Sequence, residues 1–417
     1  MSAQMTETSG APTGKKPYLW LSSTVVLAAL LLTALTLRPP LTAIGPLAHE
    51  ILTDAEGGIS ATALGLLGSV PLAVFAMLSL FAPVLARRLR LPTFLAIAMS
   101  AALLGSGLRA IPGTSTLFAG TVVLAAGLCM GNVLLPTATR RYFPSRTGAV
   151  TGAYTALMSA GGGVGVVLAR PLAEEHGLGW RAALAWMGAP AALAIVLWIC
   201  ARIATRQPDR GGSDGSTQQG LPVRTSEKGR LPVASVGLFF GAQASFFYLA
   251  ASWLMPLLSE KLVDEAQATI GVGAFSFAGV LTCLVVPTLT LKYLGLRPMV
   301  LIISSIQMIG ATALVYGTSC IAFFGATCLA VGVTAAFSLS FTLFGAFGTT
   351  PQATTRLSGR AQAIGYMVAA AFPLLVGVLH TATDSWLPAA WAMTFLALLT
   401  LGSGLIATDS SRESSQH

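Results

Sequence analysis

Leu37-Arg38-Pro39-Pro40-Leu41-Thr42-Ala43-Ile44-Gly45-Pro46-Leu47-Ala48-His49-Glu50-Ile51-Leu52-Thr53-Asp54 closes the first long apolar run of this chain, and the fold is read from it. Its landmarks return 210 residues later: Pro46-Leu47 as Pro256-Leu257, Glu50 as Glu260 and Asp54 as Asp264. At the same offset Arg87 meets Arg297, and Arg146 meets Arg356. Coincident leucines would carry no weight in so apolar a sequence, but coincident prolines, arginines and acids do. An offset of half the chain predicts two copies of one unit, related without inversion.

Composition sets the solvent. Of 417 residues, 54% are hydrophobic and 9% charged, with a mean hydropathy of +0.76. A soluble domain carries about a quarter charged residues, so this chain belongs in lipid. Apolar runs predict twelve spans: 20–48, 60–85, 93–109, 116–139, 148–170, 180–203, 232–258, 268–291, 298–316, 319–347, 358–380 and 386–407. They are long enough for helices that cross a ~30 Å core and lack the alternation of barrel strands. The expected organisation is a tail (1–17), a six-helix bundle (18–203), a polar linker (204–231), a second bundle (232–407) and a tail (408–417). The first span is expected to be retained, because no small-x-small cleavage site follows it.

Charge gives the expected orientation. With both termini cytoplasmic, 19 of the 24 Lys and Arg residues fall on the inner side. The outer loops receive Arg109, Arg170, Arg181 and Lys261, leaving Arg38 in the membrane. That bias follows the positive-inside rule and points to the inner (plasma) membrane of a cell. The net charge of +9 is then a topology signal, and nucleic-acid binding is excluded for want of a folded soluble face. The five cysteines show neither metal-ligand spacing nor pairing and read as small core residues. There is no HExxH pair, no GxSxG serine and no cluster of acids at membrane depth, so no enzyme, metal or cofactor is expected. Glycines 161, 162, 163 and 165 read as sites of close helix approach; no Gly-Lys-Ser/Thr follows to make a phosphate loop.

Arg38 is the one charged side chain placed deep inside a span. Twelve residues before Glu50, at 1.5 Å per residue, it lies ~18 Å from the outer boundary. An arginine at mid-bilayer costs ~2.5–3.5 kcal/mol and faces a wet cavity or a partner. Pro39 and Pro40 remove backbone donors and predict a bend there. Thr42 shares a helical face with Arg38 at i+4. Asn132, eight residues before Arg140, sits ~12 Å inside the inner face and reads either as a ligand or as glue between helices. Tyr248 is the repeat partner of Arg38, and it either closes the site or packs as an ordinary aromatic. Ser245 is placed on the face of Tyr248, with Gln243 off it.

Several stretches together resemble the cyanate porter / 2-nitroimidazole transporter family of the major facilitator superfamily. Leu37 to Leu47 is similar to that family's LRPxLTxxGPL signature. Gly131-Asn132-Val133-Leu134-Leu135-Pro136, the loop Arg140 to Pro144, Tyr248 with Ser252-Trp253-Leu254, and Arg356 to Tyr366 are also family-like. Two departures stand out. Ala82 to Arg90 holds arginines and no acid, and Val331 to Phe337 lacks the glycine-rich run of relatives. The resemblance implies an all-α membrane protein of the major facilitator fold, with twelve transmembrane helices in two six-helix pseudo-repeats around a central cavity. In that architecture one half rocks against the other. It also raises Gln362 and Tyr366, four apart in the eleventh span, although structural polar contacts fit them equally.

The function implied is transport of a small anionic or acceptor-rich solute by a monomer in the bilayer. The alternative is multidrug efflux, against which stands the lack of buried carboxylates. Coupling stays open: a proton accompanying the substrate, or uniport or exchange.

Overall fold

The computed structural model describes residues 17–54, 59, 61–174, 179–204, 233–261, 278–318, 320–348, 350–385 and 387–413. Nearly all of the expected linker 204–231, the outer loop after Lys261 and most of the N-terminal tail lie outside the described residues.

The first half comprises α1 (Pro17–Thr36), α2 (Pro39–Thr42), α3 (Ala48–Thr53), α4 (Ala61–Ser79), α5 (Ala82–Arg88), α6 (Leu91–Ala110), α7 (Thr114–Tyr142), α8 (Thr147–Ala173), α9 (Gly179–Trp186) and α10 (Pro190–Ala204). The second comprises α11 (Val233–Lys261), α12 (Ala278–Leu294), α13 (Leu296–Tyr316), α14 (Cys320–Phe347), α15 (Pro351–Thr383) and α16 (Leu387–Glu413). Among the described residues, nine helices are long and apolar enough to cross a membrane. The α4–α5 pair, bent by 57°, makes a tenth. Large apolar side chains such as Leu104, Val167, Phe324 and Phe395 face outward, as a multi-pass membrane protein requires.

Turn chemistry places the breaks. Gly113 precedes α7 at φ 119° and Gly295 joins α12 to α13 at φ 81°, a region in which a Cβ is strained. Thr350 caps α15 by accepting from the Ala353 amide at 3.1 Å, with Pro351 next in the first turn. The last helix runs six residues beyond the expected end at 407. Its polar extension is held by Asp409, which accepts from Arg297 at 2.8 Å.

The repeat is present, but its offset changes along the chain. Helices α6 and α13 begin at Leu91 and Leu296, α7 and α14 at Thr114 and Cys320, α8 and α15 at Thr147 and Pro351. The starts of these three pairs are 204 to 206 residues apart, while α8 and α15 end 210 apart, at Ala173 and Thr383. Arg87 ends α5 whereas Arg297 opens α13, so these two are not structural equivalents. Glycines mark the true register. A Cβ on Gly105 would lie 2.6 Å from the Gly120 carbonyl, and one on Gly310 would lie 2.8 Å from the Gly325 carbonyl. Both halves therefore make the same glycine-on-glycine crossing, between α6 and α7 and between α13 and α14, in the manner of small-residue packing in membranes.

The core shows how the halves join. One apolar cluster is shared, with Leu128, Val133, Phe240 and Phe341 among its members. Two more are private: one around Ile44, Leu117 and Trp180 of the first half, the other around Phe246, Leu314 and Met393 of the second. The shared cluster reaches the end that carries Arg87, Arg140 and Arg356, called here the basic end. The private ones lie toward the opposite end. There Glu50 pairs with Arg170 at 3.3 Å and Asp54 accepts from the Trp180 indole at 2.8 Å. These contacts give the landmark acids of the first repeat a structural role.

Candidate substrate cavity between the halves

The site begins with the break in the first span. Pro39 and Pro40 have no N–H to close on the Leu35 and Thr36 carbonyls, so α1 stops at Thr36 and a single further turn, α2, follows. The break packs into the glycine stretch of α8. A Cβ on Gly161 would lie 2.6 Å from the Leu35 carbonyl, and one on Gly165 would strike Thr42 and Pro39. Those glycines let the bent helix approach α8 closely, the role their sequence suggests.

Arg38 emerges at this break and crosses to the other half. Its guanidinium carbon sits 4.2 Å from the ring centre of Phe247 on α11 and 4.5 Å from that of Phe337 on α14. Two aromatic quadrupoles of the second half thus lie against the cation. Among the described residues no carboxylate pairs with it. Around it lies a small cavity of about 40 Å³ lined by residues of both halves, including Phe75, Asn132, Met158, Gln243, Tyr248 and Tyr366. The walls are mainly apolar, with a few convergent polar groups, as ligand sites usually are.

Toward the basic end the cavity has a polar floor. Asn132 Nδ2 donates to Gln362 Oε1 and to Tyr366 Oη, each at 2.9 Å, and Gln362 Nε2 donates to Ser358 Oγ at 2.7 Å. Asn132 Oδ1 is buried without a protein partner. Tyr366 is fixed edge-on between Phe75 and Phe240, with ring centres 5.0 and 5.2 Å away. Below the floor the seam continues: Thr137 bonds Thr355 at 2.8 Å, and Arg140 donates to the Gly345 carbonyl at 2.5 Å. Descending α7 therefore crosses three successive polar contacts with the second half. On the neighbouring helix Thr155 bonds Ser338 at 3.1 Å, and a Cβ on Gly152 would lie 2.7 Å from the Leu284 carbonyl. The bundle is closed at its basic end.

Five of the eight residues singled out from sequence line the cavity: Arg38, Asn132, Tyr248, Tyr366 and Gln243. Gln362 stands behind it and orients Asn132. Two do not join it. The Thr42 hydroxyl donates to the Gly162 carbonyl at 2.9 Å, because the break turns α2 against α8. The Ser245 hydroxyl donates to the Gly241 carbonyl of its own helix at 2.7 Å and is fully buried. The cavity face of α11 is 240, 243, 244, 247 and 248, which puts Gln243 on the face and Ser245 off it, the reverse of the sequence-based ranking.

Phe247 and Phe337 were missed. In a chain of 19 phenylalanines, spacing alone cannot single them out, although Phe337 ends the stretch that departs from the family pattern. Arg109, assigned to an outer loop from sequence, is also corrected. Helix α6 runs on to Ala110, and the Arg109 side chain is fully buried, with Nη1 donating to the Pro40 carbonyl at 2.8 Å.

Comparison with known proteins bears on what such a cavity is for. Residues 20–372 match the sequence profile of the Major Facilitator Superfamily. The chain is similar to the 2-nitroimidazole transporter of Escherichia coli (strain K12), with 30% identity over 384 residues that cover 92% of this chain and 95% of the relative. It is also similar to the cyanate transport protein CynX of the same organism, with 24% identity over 379 residues, 90% of this chain and 94% of the relative. Among solved structures, the crystal structure of the Major Facilitator Superfamily transporter FucP in the outward conformation aligns with a TM-score of 0.68. That alignment has 12% identity and covers 94% of this chain and 99% of FucP.

Proposed function

From the premise that this chain belongs to the Major Facilitator Superfamily and is a membrane transporter, we propose that it moves a small, flat solute bearing a negative charge or acceptor oxygens, by alternating access. The observation that carries this reading is the Arg38 guanidinium, within 4.5 Å of the ring centres of Phe247 and Phe337 and without a carboxylate partner among the described residues, at the wall of the cavity between the halves. A fixed cation with a forked donor edge suits carboxylate, nitro or cyanate-like groups. The flanking rings favour a planar ligand that continues the stack. The names of the two curated relatives, a nitroimidazole and a cyanate transporter, agree with that chemistry.

Asn132, Gln243, Tyr248 and Tyr366 complete the polar contacts in this reading, and Gln362 holds Asn132 in place. Rocking of one half against the other would unzip the floor and the seam below it, exposing the cavity at the basic end. By the charge bias that end faces the cytoplasm. A co-transported proton would ride on the substrate itself, because among the described residues the lining contains no Asp, Glu or His.

The test is thermal unfolding of purified protein against a panel of small planar anions, nitroaromatics and lipophilic cations, since a ligand that binds the folded form raises Tm. Anions or nitroaromatics are expected to stabilise the wild type and to fail with Arg38→Ala. Stabilisation by cations alone would overturn the reading in favour of drug efflux.

A further inference from the structure

The halves meet again at the mouth of the basic end. There Arg87 of α5, Arg141 of α7 and Arg356 of α15 line one cleft of about 60 Å³, together with Thr137, Thr355 and Gln352. Two of these arginines belong to the first half and one to the second. The ion pairs among the described residues all lie elsewhere, and none of the three arginines has a carboxylate or carbonyl partner among those residues. Arg140, next in the chain, provides the contrast, because it already reaches a backbone carbonyl across the seam. The segment Ala82 to Arg90 adds Arg88 and Arg90 but no acid.

Charge bias between loops needs arginines at this end; it does not need three of them, from both halves, around one cleft. The three guanidinium groups are exposed, so solvent screens their mutual repulsion, and an anion seated between them would turn that repulsion into attraction. We propose that the cleft binds a phosphate group, carried by an anionic phospholipid headgroup or by free phosphate, which ties the two halves together at the basic end. Guanidinium forks match phosphate geometry. The first turn of the 33-residue α15, at Pro351 and Gln352, forms part of the same wall and adds the favourable end of its dipole. Val84 and Leu85, exposed on the outer side of α5, put the cleft within reach of lipid.

The experiment is thermal unfolding of the detergent-purified, delipidated full chain with dihexanoyl phosphatidylglycerol, with its phosphatidylcholine counterpart, and with sodium phosphate at matched ionic strength. Phosphatidylglycerol is expected to raise Tm by about 2 °C or more, with phosphatidylcholine well below it. Sodium phosphate alone giving the same rise would assign the site to soluble phosphate, and no effect of phosphate would assign it to lipid. The rise should vanish in Arg87→Gln and Arg356→Gln and persist in Arg90→Gln, which lies outside the cleft. Arg356→Glu supplies an internal counter-charge, so it should raise Tm without any added anion and abolish the response. The proposal is overturned if neither phosphate source shifts Tm, if the shift survives Arg356→Gln, or if Arg90→Gln removes it equally. None of these readouts involves Arg38 or transport.

Discussion

Arg38 and Arg109 belong to the same half, sit in equally apolar surroundings and do opposite things. The Arg38 guanidinium lies between two rings of the other half and lines a cavity. The Arg109 guanidinium has no exposed surface and donates to the Pro40 carbonyl, two residues after Arg38 at the break in the helix. One cation lines the cavity, while the other donates to the backbone just after the first. Position in an apolar run therefore says that an arginine needs a partner, but not whether that partner is the protein or a solute.

The contrast is sharpest under conservative substitution. Arg38→Lys keeps the charge but loses the planar fork and the stacking. Transport is expected to fall roughly 100-fold, corresponding to about 3 kcal/mol for a charged donor set, while the amount of folded protein at the membrane stays unchanged. Near-normal uptake by Arg38→Lys would reduce Arg38 to a point charge.

Arg109→Ala should act through stability. Loss of a charged hydrogen bond to a buried carbonyl, about 2 kcal/mol, predicts a fall in Tm of about 2 °C, with Arg109→Lys recovering most of it. If Arg109→Ala instead changed substrate affinity at unaltered Tm, the division of labour between the two arginines would be wrong.

Smaller effects probe the surroundings of each. Phe337→Leu removes one of the two rings on Arg38, a contact of about 1 kcal/mol, and should raise KM about fivefold with the expression level intact. Thr42→Val removes only a hydroxyl bonded to the Gly162 carbonyl, worth about 0.6 kcal/mol in a membrane. Uptake within about twofold of wild type is expected. A large loss would return Thr42 to the ligand shell.

How much of this was legible depended on whether the signal was local. The spans and the break after Leu37 were readable because hydropathy and missing proline donors act within a few residues of where they are written. The twofold design was readable as well, although the landmark residues misled on its register. Arginines at membrane boundaries recur for topological reasons, and the match of Arg87 with Arg297 fell on non-equivalent helices. The glycines that do keep register, Gly105 with Gly120 and Gly310 with Gly325, disappear among 44 in the sequence.

The site was legible in its polar residues and not in its aromatic ones. Arg38, Asn132 and Tyr366 stand out because a polar group in lipid needs an explanation, whereas Phe247 and Phe337 look like any other apolar residue in a helix. Ser245 and Gln243 exchanged ranks because a one-residue error in helical phase turns a side chain by about 100°.

Sequence by itself determined that this chain crosses a membrane many times, that it is built twice, and that one cation lies where lipid would not tolerate it. The cost of burying charge and unpaired backbone is paid locally and so is written locally. Tertiary structure alone decided which faces meet: that two rings of the second half close on Arg38, that the Pro40 carbonyl finds Arg109, and that three arginines of different halves share one cleft. Those outcomes depend on how helices far apart in the chain rotate and cross, and no span records the phase of its neighbours.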